Sequence, residues 1–314
     1  MPTHGFGTAE MAGSEVAAPT AVEKILGPVA MSPGRRALGR FLRHRLAIVG
    51  LITIALITLL AVFASEEKAL AMNLKFGFTN KPPGTLPGYP LGTDALGRDI
   101  LARTLLGGRI SILVAVVSVA IATGIGTVVG VTAGYLGGWV DVALMRFVDV
   151  VLSFPVILLL LVVAYMIGPG LLQMVLMIGF VTWARGARIV RGQVIALREM
   201  AFIEAARVIG VSHIRMVMAH ILPNIIAPLI VFATFGVANV IVFEASLSYL
   251  GLGVQPPTPS WGNLLQVTRV VTVLERQTWL WVPPAIMIVL MVLAVNFVGD
   301  GLRDAFDQRS TKDS

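Results

Sequence analysis

Apolar residues in this 314-residue chain gather into long runs instead of narrow amphipathic stripes. Six such runs stand out, at residues 46–64, 112–133, 150–167, 171–184, 225–243 and 279–298. A helix crossing the hydrocarbon core of a bilayer needs about 20 mostly apolar residues. The pattern therefore predicts an all-α polytopic protein with six transmembrane helices. The fourth run is short, with fourteen residues before Arg185. Arg185, Arg188 and Arg191 can snorkel from a helix that continues into the cytoplasm. Composition agrees: 56% of residues are hydrophobic, 13% are charged and the mean hydropathy is +0.87, outside the range of soluble domains.

The net charge of +7 carries topological information. Arg35, Arg36, Arg40, Arg43 and Arg45 crowd the entrance to the first run. Arg185, Arg188, Arg191, Arg198, Arg207 and Arg215 cluster between the fourth and fifth, and Arg303, Arg309 and Lys312 follow the sixth. The positive-inside rule places all three groups, and both termini, in the cytoplasm. The segment 65–109 also holds basic residues, but a loop of more than forty residues is translocated largely regardless of charge, so it is expected outside. Nucleic-acid binding is not needed to explain the charge. Residues 1–34, rich in Gly, Ala, Pro and Thr and without periodicity, read as a disordered cytoplasmic tail instead of a signal peptide. The resulting map is a tail at 1–34, an N-terminal anchor at 35–64, an extracytoplasmic loop at 65–109, a core at 110–300 and a cytoplasmic tail at 301–314. The chain has no cysteine, so disulfides and thiolate metal sites are ruled out.

The polar interruption between the fourth and fifth runs has a distinctive order. From Glu204 to Pro223 it reads EAARVIGVSHIRMVMAHILP. Ala205 and Ala206 are helix formers with almost no side chain, which would let another protein surface approach the backbone. Gly210 suits the left-handed residue that ends a helix, and Ser212 suits the cap of a second one. Ile214, Met218 and Ile221 recur at helical spacing, as one apolar face of that second helix. Pro223 sits where a first-turn proline is tolerated. Residue by residue, this predicts two short helices at a membrane surface, shaped to engage a partner.

The same segment resembles the EAA loop of bacterial ABC importer permeases. Glu204, Ala205, Ala206, Gly210, Leu222 and Pro223 match that pattern, Arg207 lies within it, and His220 replaces the usual Ile. The wording His-Ile-Leu-Pro-Asn at 220–224 is similar to the peptide and nickel branch. Three further segments resemble that branch: YPLGTDALGRDILARTLLGGR from Tyr89, SLSYLGLGVQPPTPSWGNLL from Ser246, and NFVGDGLRDAFDQR from Asn296, where Gln308 departs from a usual proline. Together they cover roughly residues 89–309 and narrow the resemblance to the C-type permease of the oligopeptide/dipeptide/nickel group.

The resemblance implies a type I ABC importer transmembrane domain in the bacterial inner membrane, with the loop 198–223 as the coupling segment. It also implies a B-type permease partner, two cytoplasmic ATPase subunits that hold ATP and Mg²⁺, and an extracytoplasmic binding protein. Within the group, dipeptides, longer peptides, glutathione and nickel complexes are all carried, so the cargo stays open.

Other residues invite separate readings. Ala122, Gly126, Gly130 and Gly134 repeat at every fourth position, a ridge that would let helices pack closely in lipid. Glu244 ends the fifth run about twenty residues after Pro223, which at ~1.5 Å per residue places it near the outer interface. There it would contact cargo, gate the pathway, sit in headgroup water or pair with a base of a neighbouring subunit. Asp141, Arg146 and Asp149 suggest a cytoplasmic helix, with Arg146 and Asp149 at pairing distance. Trp261 suits the interface, and Asn296 suits a hydrogen bond across helices. No P-loop, zinc-ligand spacing or G-x-S-x-G elbow is present, so the chain is not expected to be an enzyme. The runs lack the mid-membrane acidic residues and histidines that a secondary transporter would use, so energy must come from other subunits.

Overall fold

The computed structural model describes residues 33–75 and 77–307. The expected tail at 1–34 lies outside the described residues except for its last two positions, as does the end of the chain from residue 308. Every regular element described is helical, and one isolated antiparallel bridge joins Thr93 to Asp99.

The region 35–64 is two helices, α1 (Pro33–Phe41) and α2 (Arg45–Val62). His44 separates them and caps α2, its Nδ1 accepting from the Ala47 backbone at 3.1 Å. Helix α2 buries only a narrow strip, Ala47, Gly50, Ile57 and Ala61, while Leu51, Ile52, Leu56 and Leu59 are exposed. In lipid those exposed side chains are solvated, so the strip alone needs a protein partner. That partner is α11, below.

Residues 65–99 fold back on one end of the helix bundle. Ser65 caps the short α3 (Glu66–Leu70). The Gly92-Thr93-Asp94 motif is a structural knot. Thr93 Oγ1 donates to the Phe78 carbonyl at 2.6 Å and accepts from Lys81 N at 3.0 Å. Asp94 accepts from Leu96 N, Arg98 N and Arg98 Nε at 2.9, 3.0 and 2.7 Å. Asp99 then starts α4 (Ile100–Leu136) by accepting from Leu101 N at 2.8 Å.

Helix α4 has 37 residues, about 56 Å at 1.5 Å per residue, so it projects beyond a ~30 Å hydrocarbon core. It is followed by α5 (Gly138–Ser153), α6 (Val156–Ile167) and α7 (Leu171–Arg198). The most extensive helix contact in the fold is between α4 and α7. Gly126, Gly130 and Gly134 are its near points. A Cβ on Gly126 would lie 2.9 Å from Trp183 O, one on Gly130 2.5 Å from Ala187 O, and one on Gly134 2.8 Å from Val194 Cβ. Gly179 returns the approach toward Ile121.

The apolar run 150–167 is not one helix. Phe154 is extended, as a residue before proline tends to be, and Pro155 cannot donate into a continuing helix. The chain bends there by 87°, leaving α6 with 12 residues.

The polar segment described below contains α8 (Ala201–Val208), and after it come α9 (Leu222–Tyr249), the short α10 (Trp261–Leu264) and α11 (Val282–Phe306). Helix α11 packs on α2, where a Cβ on Gly50 would meet Ala294 O at 2.5 Å, and on α9, where Gly299 faces Phe235. By length and composition, α2, α4, α11 and the helical stretch ending in α9 can each cross a membrane, and the bent α5–α6 pair is a fifth if it is one broken span and not a re-entrant loop. Helix α7, the counterpart of the fourth apolar run, is not among them, because arginines occupy its second half.

Two expectations about single residues are corrected. Trp261 is not at an interface: it is 1% exposed, laid on the bare surface of Gly107 and Gly108, with Nε1 donating to Thr104 O at 2.9 Å. Asn296 does not bridge helices, since its Nδ2 donates to Val292 O of its own helix at 2.8 Å.

The glycine contact is testable. Gly130→Ala should destabilise the protein by about 1–3 kcal/mol, because the new methyl meets backbone that cannot yield. Gly124→Ala, with nothing within 4 Å, should be neutral or slightly stabilising. Thermal midpoints in detergent separate the two. Equal midpoints would mean that the ridge does not set the α4–α7 distance.

Candidate coupling surface

Helix α8 follows α7 after a two-residue turn and is fixed on one side. Ile203 and Ala206 are buried in a cluster with Val131 of α4, Val190 and Val194 of α7, and Met216, Ile221 and Ile225. The Glu-Ala-Ala triplet is thus divided. Ala206 points into the cluster, so only Ala205 and Glu204 offer themselves to an outside surface. Glu204 stands exposed in the first turn of α8, where a carboxylate is favoured by the helix dipole. Arg207 is exposed in the last turn.

Gly210 ends α8 with φ +79°, a left-handed conformation that L side chains rarely adopt. Gly210 N donates to Arg207 O and Val211 N to Ala206 O, both at 3.1 Å, which together form a Schellman cap. Ser212 occupies the next N-cap by backbone geometry, but its side chain makes no capping bond.

The second helix differs from its expected form. His213–Arg215 is a single α turn, and Met216–Ile221 is a π-helical turn running straight into α9. Pro223 is in the first turn of α9; it has no N–H for the carbonyl four residues back, and its ring crowds that carbonyl. The wide turn just ahead absorbs this mismatch. Asn224 Nδ2 takes up the His220 carbonyl at 2.6 Å, while Leu222 and the His220 side chain are half-buried. The extra residue in the wide turn splits the apolar set. Ile221 joins Met216 inside, whereas Ile214 and Met218 remain outside. Val208 (83% exposed), Ile209 (79%), Ile214 (78%) and Met218 are all exposed apolar residues of this segment, which also carries the exposed Glu204, Arg207 and Arg215.

Two contacts that spacing alone did not reveal tie this module to α4. The Tyr135 hydroxyl and His213 Nδ1 are 2.8 Å apart. Arg198 Nη1 donates to the Gly134 and Tyr135 carbonyls, each at 3.2 Å, closing the end of α4. Both pairs are separated by more than sixty residues, beyond any local pattern. The acidic residues of α5 also pair differently from expectation. Asp141 accepts from Arg191 Nε at 2.5 Å and Nη2 at 2.7 Å, and Asp149 accepts from Arg188 Nη2 at 2.5 Å. Arg146 is not Asp149's partner, because α7 lies alongside with a better-placed guanidinium.

Glu244 sits far from this surface and does not reach headgroup water. It is fully buried, with Ser111 Oγ donating at 2.8 Å and Ser248 Oγ at 2.7 Å, and the buried Ser260 lies nearby. Ser111 Oγ in turn accepts from Trp261 N at 3.2 Å. The carboxylate therefore ties α4, α9 and α10 together and has no basic partner there. Its neighbours are hydroxyls that α4 and α10 bring in from distant parts of the chain.

Membrane-length helices, with a polar insertion rooted between them and an apolar outer surface, define a membrane transport component. The chain belongs to the family of binding-protein-dependent transport system inner membrane components, whose model matches residues 126–312. A second model, the N-terminal TM domain of oligopeptide transport permease C, matches residues 32–83. The chain is 42% identical over 284 residues to a protein of Brucella suis biovar 1 named as a peptide permease, covering 90% of this chain and 93% of that one. It is 41% identical over 271 residues to the oligopeptide transport system permease protein OppC of Escherichia coli K12, covering 86% and 89%. It is 40% identical over 284 residues to the dipeptide transport system permease protein DppC of Alkalihalophilus pseudofirmus, covering 89% and 91%. It is accordingly a multi-pass inner membrane protein.

The buried carboxylate makes a stability prediction. Glu244→Leu leaves Ser111 and Ser248 without their acceptor, at roughly 1–3 kcal/mol for each hydroxyl. Glu244→Gln keeps one acceptor and donates to a rotated hydroxyl, so it should lose much less. Thermal unfolding of the two variants in detergent should rank them in that order. A leucine variant as stable as the glutamine one would show that the network does not hold the outer helices.

Proposed function

We propose that this chain is one of two permease subunits that form the membrane pathway of an ATP-driven, binding-protein-dependent importer of di- or oligopeptides. The carrying observation is the module 198–223. Its inner face is locked into α4 and α7, while its outer face presents unpartnered apolar side chains in a segment that also carries exposed charges. Both termini and this module face the cytoplasm in this reading, as the arginine distribution requires. The relatives named for oligopeptide and dipeptide transport support peptides as the cargo class.

The chain itself performs no chemistry. ATP and Mg²⁺ belong to two cytoplasmic ATPase subunits, a B-type permease completes the pathway, and an extracytoplasmic binding protein delivers cargo. An ATPase seated on Val208, Ile209 and Ile214 would move α8 as it closes. Because Ile203 and Ala206 are embedded against Val190, Val194 and Val131, that motion passes to α4 and α7 as a rigid unit. The two permeases would then rock between inward-open and outward-open arrangements.

Two substitutions test the coupling. Glu204→Lys reverses the exposed charge beside the apolar surface. Gly210→Pro forces φ near −65° where the chain needs +79° and removes the N–H that caps α8. Each should abolish uptake of labelled peptide by cells that depend on this permease, while the protein stays in the membrane at normal abundance. Uptake at wild-type rates in both variants would refute the assignment.

A further inference from the structure

Three arginines follow one another at every third position of α7: Arg185, Arg188 and Arg191. Arg191 is matched by Asp141 and Arg188 by Asp149. Arg185, three residues nearer the middle of the helix, has no carboxylate, carbonyl or hydroxyl partner among the described residues. It lies roughly 20 Å along α7 from Arg198, at 1.5 Å per residue, and directly follows the apolar run 171–184. A guanidinium bordering such a run faces a polar cavity or finds an anion, because hydrocarbon solvates it poorly.

The cavity is present. Arg185, itself exposed, lines an open cleft with a cavity volume of ≈ 110 Å³ between α4, α7 and α9, roofed by Leu152 and Val156 at the α5–α6 bend. Most of the wall is apolar, including Phe232 and Phe243, but the polar groups on it have capacity to spare. Thr123 Oγ1 is buried with no hydrogen-bond partner. Thr182 gives its proton to Ile178 O at 2.7 Å and keeps its acceptor lone pairs. Asn239 Nδ2 donates to Phe235 O at 3.0 Å, which leaves its carbonyl oxygen open. A cleft of this volume takes one end of a larger ligand, and apolar walls with a few convergent polar groups are the usual lining of such a site.

We propose that this cleft is a cargo subsite in which Arg185 holds the terminal carboxylate of the peptide in transit. The guanidinium fork matches a carboxylate with two parallel hydrogen bonds. Thr123 and the Asn239 carbonyl meet the peptide's amide groups, and the phenylalanines take its side chains without selecting among them. The assignment rests on the import reading above and adds the chemical group this subunit recognises. A phospholipid phosphate is the other anion that fits a lone guanidinium, but acyl chains give no use to the spare polar groups of Thr123 and Asn239.

The test uses the complete membrane assembly in nanodiscs, with equilibrium binding of a labelled tripeptide and of its C-terminal amide. Arg185→Gln should weaken binding of the acid by about tenfold or more, the scale of a charge-assisted hydrogen bond. It should leave the amide unchanged, while Arg185→Lys restores part of the acid's affinity and neither variant shifts the assembly's thermal midpoint. Equal binding of acid and amide by the unaltered assembly, or equal loss of both in Arg185→Gln, would overturn the subsite. So would an effect that appears only with phosphatidylglycerol present and ignores the cargo carboxylate, which would assign the arginine to a lipid. Uptake into proteoliposomes separates the two levels. If the unaltered assembly imports the acid but shows none of these binding differences, only the subsite falls. If it imports no peptide, the import reading falls with it.

Discussion

The close approach of α4 to α7 is the constraint on which the rest of the structure depends. In lipid there is no hydrophobic force between apolar helices, so association relies on dispersion over well-fitted surfaces and on polar contacts. Three glycines four residues apart remove the side chains that would hold the axes apart, and the Trp183 and Ala187 carbonyls and Val194 fill the space. Everything at the end of the pair that holds Gly134 and Arg198 follows from that distance. Val131 of α4 and Val190 and Val194 of α7 become neighbours only because the helices touch, and together they make the floor that receives Ile203 and Ala206. Arg198 can likewise reach the last carbonyls of α4 only because α7 runs beside them.

Exposed apolar residues carry two different meanings here. Along α2 the exposed Leu and Ile side chains surround a helix of membrane length and face acyl chains, which solvate them. Val208, Ile209 and Ile214 are as apolar but belong to a segment rich in turns that also carries the exposed Glu204, Arg207 and Arg215. In the reading proposed above that segment meets water, and an apolar patch with charge beside it there serves a protein contact. The opposite end of the bundle shows the reverse economy. Glu244, Ser111 and Ser248 bury their polar groups completely and satisfy one another, so that end is braced internally.

The sequence made the helical class legible, because runs of apolar residues near membrane length leave little else to build. It also made the position of the turn at Gly210 legible, since only a left-handed residue ends α8 that way. What it hid was anything that depends on two distant segments meeting. Glu244 looked like the end of an apolar run near the interface, and the hydroxyls that enclose it come from Ser111 and Ser260, more than a hundred residues upstream and sixteen downstream. Arg146 looked like the partner of Asp149 because the two share a helical face, but α7 supplied Arg188 instead. The division of Ile214 and Met218 from Ile221 was hidden for a different reason: a π-helical turn changes the angular period that spacing arguments assume.

The bend at Pro155 unites features that look separate along the chain. Helix α5 runs beside α7 and presents Asp141 to Arg191 and then Asp149 to Arg188. Leu152, in the last turn of α5, stands on the cleft opposite Arg185 where a third carboxylate would be needed. Beyond it Phe154 is extended and the chain leaves at 87°, so no later residue of α5 can take that place. The unmatched guanidinium thus follows from an apolar side chain at 152, and the bend makes it final, because the helix ends before it can offer a second position.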